Sequence, residues 1–379
     1  MKKILTLLFL SSLVVTVPLS VQGENDSLIS REEQTRILTF LKKLQFGLYM
    51  DVYATLPLND LDDSSHIMPL YANSMYSNDF RLNVVGLTLN YRDTKARANL
   101  TLQYGDIPML LTKVEYQWVK YLRQANFGFR VSKQSWIDLG FLLNPIGVES
   151  TWPVNNKLST TSLGGWFEPG SFLGVKFSTR FREKLALAVY LGNPYSVAYN
   201  QDTYVSGGFQ LSYTPADKLG IYYANLAGFQ SRDLEHHSKF QLYNNLIIDY
   251  SPLKWLNLTA QYDFAWQTNS HLGADTSKLS YLHSGFLQAS VRPVKWFSFT
   301  AKGEFFTDPN GFLSGVYDAA GTPEGFRAES LTAGVEFKPL QIIYLRAEYR
   351  YVNASQKLYD NQTSERQGAV TLTAGIRIL

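Results

Sequence analysis

Ser290-Val-Arg-Pro-Val-Lys-Trp-Phe-Ser-Phe-Thr-Ala301 reads as the end of one β-strand, a tight turn at Arg292–Lys295 and the start of the next strand. Proline fixes φ and has no N–H to give to a ladder, so Pro293 marks the turn. Beyond it Phe297, Phe299 and Ala301 point one way, and Ser298, Thr300 and Lys302 the other. That period of two gives a strand one apolar and one polar face. The phrase returns at Tyr250-Ser-Pro-Leu-Lys-Trp-Leu-Asn-Leu-Thr-Ala260, and in weaker copies at Phe337–Gln341, Tyr213–Lys218 and Phe181–Leu185. A chain that repeats one hairpin so often is an array of antiparallel strands.

The surrounding chain says where such an array lives. Met1-Lys-Lys and the apolar run Ile4–Val17 have the form of a secretory signal peptide. Val21-Gln-Gly23 offers a cleavage site, so residues 1–23 are expected to be removed. The chain has no cysteine, so the exported fold does not rest on disulfides and a lipidated cysteine is excluded. After Gly23 no apolar run is long enough to cross a bilayer as a helix. Yet there are 24 Tyr and 23 Phe, residues that favour strands. A membrane β-barrel has this composition, because its apolar residues come at every second position. The formal charge of +3 gives no argument for nucleic acid as a partner.

Residues 24–43 are polar and read as a periplasmic segment. Within it Ser30 and Glu33 stand at capping-box spacing ahead of Ile37, Leu38 and Leu41, so a short helix is one reading and a plain spacer the other. Alternation starts at Leu44–Leu56, where Phe46, Leu48, Met50, Val52 and Ala54 oppose Gln45, Tyr49, Asp51, Tyr53 and Thr55. Similar segments recur to Gly368–Ile378, giving about sixteen strands over residues 44–379. Short connections such as Arg92–Lys95, Ser251–Lys254 and Lys338–Gln341 alternate with long ones such as Pro57–Asp79, Asn144–Ser171 and Thr307–Ala328. The expected fold is therefore all-β: a single transmembrane antiparallel up-and-down barrel, with short periplasmic turns and long extracellular loops. It has to close, because an unpaired strand edge in hydrocarbon costs several kcal/mol per lost hydrogen bond.

If apolar residues face lipid, the polar face lists the lumen. Its charged candidates are Asp51, Arg130, Asp138, Lys176, Arg180, Asp263, Lys302, Glu304, Arg346, Glu348 and Arg350, with Arg97, Asp249, Glu336 and Arg377 beside them. Such residues set ion selectivity in pores or knit the wall together as salt bridges, and their mixed signs leave the preference open. The third long connection, Asn144–Ser171, carries Glu149, Trp152, Lys157, Trp166, Phe167 and Glu168. By analogy with general porins, whose third loop narrows the lumen, Glu149, Trp166 and Glu168 are constriction candidates; an ordinary surface loop is the alternative. Catalytic and metal signals are poor: His236-His237 is a bare pair, Asp60-Leu-Asp-Asp63 reads as a solvated loop, and His283 and Ser284 fall on opposite faces of one strand. No catalytic residue, metal or cofactor is expected.

Gly47-Leu-Tyr-Met-Asp-Val-Tyr53 and Gly140-Phe-Leu-Leu-Asn-Pro-Ile-Gly-Val-Glu149 resemble the OmpL-like β-barrel porin family of Gram-negative bacteria. Asn83–Tyr91 through Leu102–Gly105 look like that family's second hairpin, while Leu48 departs from its usual aromatic residue. The resemblance implies an outer-membrane barrel with porin activity. The resemblance carries over no binding residues beyond Asp51, Pro145, Gly147 and Glu149, and for these it implies a structural role. The expected function is passive diffusion of small hydrophilic solutes or ions. The alternatives are a surface-binding barrel with a plugged lumen and, behind it, an outer-membrane hydrolase. Expected partners are outer-membrane lipid, the solutes, the barrel-assembly machinery acting on the last strand, and other copies in a homo-oligomer, by analogy with porin trimers.

Overall fold

The structure, a computed structural model, describes residues 30–58, 66–111, 117–193, 205–232, 238–272, 277–315, 324–359 and 363–378. The proposed signal peptide, Asp60–Asp63, His236-His237 and Leu379 lie outside them. The chain divides into two units, Met1–Lys42 and Lys43–Leu379. In the first, helix α1 (Arg31–Leu41) starts where the spacing places it. The Ser30 hydroxyl accepts from the Glu33 N–H at 3.1 Å, and the Glu33 carboxylate accepts from the Ser30 N–H at 2.9 Å.

The second unit is a closed barrel of sixteen antiparallel strands. They run β1 (Leu44–Pro57), β2 (Phe80–Arg92), β3 (Ala96–Tyr104), β4 (Leu122–Arg130), β5 (Ser135–Leu143), β6 (Ser171–Phe181), β7 (Leu185–Gly192) and β8 (Ser206–Ala216). Then come β9 (Leu219–Arg232), β10 (Ser238–Leu253), β11 (Leu256–Gln267), β12 (Ser280–Val294), β13 (Phe297–Asp308), β14 (Phe326–Leu340), β15 (Ile343–Ala354) and β16 (Arg366–Ile378). Each strand pairs with its sequence neighbours, and β1 closes the ring on β16 from Leu48↔Ile378 to Pro57↔Ala369. Every strand falls where alternation places one.

The proline turns carry a correction. The strand does not stop at Arg292: the register slips between Val291 and Val294, pairing resumes at Val294↔Phe297, and the turn is Lys295-Trp296. The same slip occurs at Tyr213/Ala216, Tyr250/Leu253 and Phe337/Leu340, around Pro215, Pro252 and Pro339. A bulge leaves one residue without a ladder partner, which is where a residue without an N–H fits. Because the turn interrupts the alternation, Trp296 does not turn inward as parity implies. It lies exposed, edge-on to outward-facing Phe337 with ring centroids 5.7 Å apart.

The two faces are of opposite character. Leu287 (72% exposed) and Leu331 (65%) stand on the outside, while Asp51 (0%) and Arg350 (1%) point inward. Thus every second side chain is apolar and outward, the arrangement hydrocarbon requires. The interior is filled on one side by two connections. One is residues 144–170, as the sequence suggests. The other is residues 66–77 of the first long connection, which strand alternation places only as an extracellular loop. Met68, Leu70 and Tyr71 of residues 66–77, the first insert, and Ile146 and Leu163 of residues 144–170, the second, join Tyr243, Phe306, Phe326 and Val352 of the wall in one buried cluster. The missed signal is Ile67-Met-Pro-Leu-Tyr-Ala72, too apolar for a solvated loop.

Candidate functional site

The lumen and the two segments inside it form the candidate site. Residues 144–170 leave β5, cross the barrel and return to β6, and the wall holds them chiefly by their backbone. Gly147 N–H donates to Asn245 Oδ1 (3.2 Å), Val148 N–H to Gln261 Oε1 (2.9 Å), Val154 N–H to the Tyr49 hydroxyl (3.1 Å) and Leu163 N–H to Glu304 Oε2 (2.6 Å). Glu348 accepts from the N–H groups of Ser159 and Thr160 and from the Thr160 hydroxyl. Arg346 donates to the carbonyls of Pro153 and Asn156, both at 2.8 Å. A loop whose regular structure is limited to two short 3₁₀ turns needs such partners, because buried N–H and C=O groups left unpaired are costly. The first insert is tied to the second through Asn73 Nδ2 to the Ser159 carbonyl (3.3 Å), and to the wall through Tyr71 Oη to the Gln367 carbonyl (2.9 Å).

One ion pair joins the wall to the insert, and two fix the wall residues that hold it. Lys302 meets Glu149 at 2.8 Å, Arg350 meets Glu304 at 2.7 Å, and Arg346 meets Glu336 at 2.8 Å. Of the eleven charged positions expected to line a pore, all take the inward parity, but they fall into two groups. Asp51, Asp263, Lys302, Glu304, Arg346, Glu348 and Arg350 are buried; the last five bond the 144–170 segment directly, whereas Asp51 and Asp263 bond wall residues. Asp138 is buried as well, between Arg97 (2.6 Å) and Lys176 (3.5 Å) on the uncovered wall. Lys176, Arg130 and Arg180 keep solvent contact. So do the inward residues Asn126, Ser178, Ala188, Gln210 and Ser212. Strands β4–β8 therefore present a partly wetted inner wall, interrupted by the buried cluster Leu142, Phe172 and Tyr190.

Among the constriction candidates, Glu149 and Glu168 reach the interior, and Trp166 is half-buried in a short 3₁₀ turn, Gly164–Trp166. Gly147 has φ +83, and a Cβ there would run into the Glu168 carboxylate. The residues matched by resemblance all act on this loop or on the wall behind it. The Pro145 carbonyl accepts from Gln210, Gly147 makes room for Glu168, and Glu149 binds Lys302. Asp51 is held by Asn83 (2.6 Å) and by the Tyr344 hydroxyl. Sequence reasoning missed Tyr49, Asn245, Gln261 and Arg123, whose polar atoms bind the insert; the polar face was the available signal for the first three, whereas Arg123 shares the parity of outward Phe127 and stands at a register slip that alternation does not show.

Burial, then the charge of Asp263, holds the Glu168 carboxyl well above the usual carboxylate range. Docking therefore takes up a proton. It is strongest below the ordinary carboxylate value and weakens as pH rises through the raised one. Protease protection of residues 144–170 is expected to fall from acid to alkaline pH. In Glu168→Gln, which mimics the protonated form, that slope should disappear; its persistence would assign the slope to another group.

His283 and Ser284 are held apart, as alternation predicts. Tyr262 and His283 share a 2.6 Å hydrogen bond on the outward face, while Ser284 faces inward and donates to Asp263 at 2.9 Å. Among the described residues no group of three or more His, Cys, Asp or Glu is placed to hold a metal ion.

Comparison with known proteins agrees with this picture. A family model described as "Putative beta-barrel porin-2, OmpL-like" matches residues 43–378. Among solved structures, the chain is similar to OmpF of Salmonella typhi in complex with daunomycin, with TM-score 0.60, 13% identity, and coverage of 88% of this chain and 97% of that one. It is also similar to a loop L8 deletion mutant of OmpT, an outer membrane protein of Vibrio cholerae, with TM-score 0.59, 10% identity, and coverage of 88% and 99%. A third is Pseudomonas putida OprB, with TM-score 0.57, 10% identity, and coverage of 91% and 96%. At such identities the likeness shows the fold. No curated protein matches the chain.

Proposed function

Because the chain belongs to the OmpL-like β-barrel porin-2 family, and so to the Gram-negative outer membrane, we propose that it is a passive channel for small hydrophilic solutes. One observation carries this reading: inward residues of β4–β8 such as Asn126, Arg130, Ser178, Arg180, Gln210 and Ser212 keep solvent contact, although Asp138, Leu142, Phe172 and Tyr190 on the same wall are buried. Barrels of this strand number are wide enough to leave a channel. Purified protein reconstituted in planar bilayers is expected to give discrete conductance steps; a folded barrel that gives none sinks the proposal. The second reading, a surface-binding barrel with a closed lumen, is favoured by the number of loop groups bonded to the wall. It predicts a silent bilayer from a correctly folded protein.

A further inference from the structure

The inward charges sort by sign according to solvent contact. The acids are covered or matched. Asp51, Asp263, Glu304 and Glu348 are buried with donors around them. Asp138 sits between Arg97 and Lys176, and Glu336 between Arg346 and Lys338, the last at 3.0 Å. Asp249 keeps some solvent contact but is caged by Asn257 Nδ2 (2.6 Å) and Thr259 Oγ1 (3.2 Å).

The bases are distributed differently. Arg92, Arg130, Arg180, Arg292, Lys338 and Arg377 come from β2, β4, β6, β12, β14 and β16, close to the short turns. Arg92 shares parity with Gly86, where a Cβ would strike Trp152 inside the barrel. Arg180 shares parity with Lys176, Lys338 reaches inward Glu336, and Arg377 donates to Asn155 of the insert at 3.0 Å. Arg130 lies over the inward Trp136 ring at 5.0 Å. Arg92, Arg130, Arg180 and Arg292 are exposed and form no ion pair among the described residues. Lys157 of the insert adds a further charge on this side. Burial, then the charge of Arg292, lowers its ammonium below the usual value.

We propose that these six side chains form a basic collar at the periplasmic mouth, and that the channel passes small anions, oxyanions such as carboxylates and phosphates foremost. The inference rests on the channel reading. A ring of one sign in a low-dielectric wall raises the local concentration of counter-ions. Guanidinium forks also match carboxylate and phosphate oxygens in pairs.

The test is a reversal potential across a bilayer in a potassium chloride gradient, repeated with potassium acetate, on protein whose folding is checked by heat-dependent gel mobility. The sign of the potential is expected to be that of an anion-preferring pore in both salts. The triple substitution Arg130→Gln, Arg180→Gln and Arg292→Gln should move the potential toward zero, whereas the matching lysine triple should keep it. A conducting pore that prefers potassium, or a glutamine triple with unchanged potential, overturns the collar while leaving the channel intact. A folded barrel without conductance overturns the channel reading, and the collar with it.

Discussion

Arg346→Ala is expected to free residues 153–159 from the wall and widen the conducting path. The guanidinium is buried, bonds Glu336 through Nε at 2.9 Å and caps two loop carbonyls at 2.8 Å. Truncation leaves Glu336 without this partner and the carbonyls of Pro153 and Asn156 without donors. Removing one member of a buried pair costs about 3–5 kcal/mol. At 1.4 kcal/mol per factor of ten, that shifts the docking equilibrium by more than about a hundredfold. The strand ladder does not use this side chain, so the barrel itself should form. Protease cleavage within the segment and larger, noisier conductance steps are the measurements. Unchanged protection would mean that Glu348 and Tyr49 hold the loop without Arg346.

The second large effect lies outside. Leu287→Arg places a charge midway along β12 on the face where Leu287 is 72% exposed. Near the bilayer midplane such a substitution costs about 2–4 kcal/mol. Urea titration of the barrel folded in vesicles should show a loss of that size. Ser212→Arg on β8, inward and in contact with solvent, should show almost none. Equal losses at both positions would contradict the assignment of faces.

The same contrast separates what was legible in the chain from what was not. Phe297, Phe299 and Ala301 against Ser298, Thr300 and Lys302 announce a strand and its two faces, and the repeated hairpin announces closure. The proline turns were legible in place but not in detail. Whether Pro293 ends a strand or sits in a bulge depends on a partner strand that alternation does not specify. The length and amphipathic residues of 144–170 allow insertion, whereas nothing in the alternation marks residues 66–77 as inserted. Their burial depends on Phe306, Phe326 and Val352, remote in the chain.

Arg130 and Arg350 look alike in sequence: each is an arginine on the polar face of a strand. One is exposed at the short-turn rim, and the other is buried between Glu304 and the Thr161 carbonyl. The sequence alone determined the barrel, its strand count and which side chains point inward, because strand geometry alternates locally and a bilayer accepts only one of the two faces. Only the tertiary structure decided which inward charges meet water, because two loops from distant parts of the chain cover some and leave the rest open.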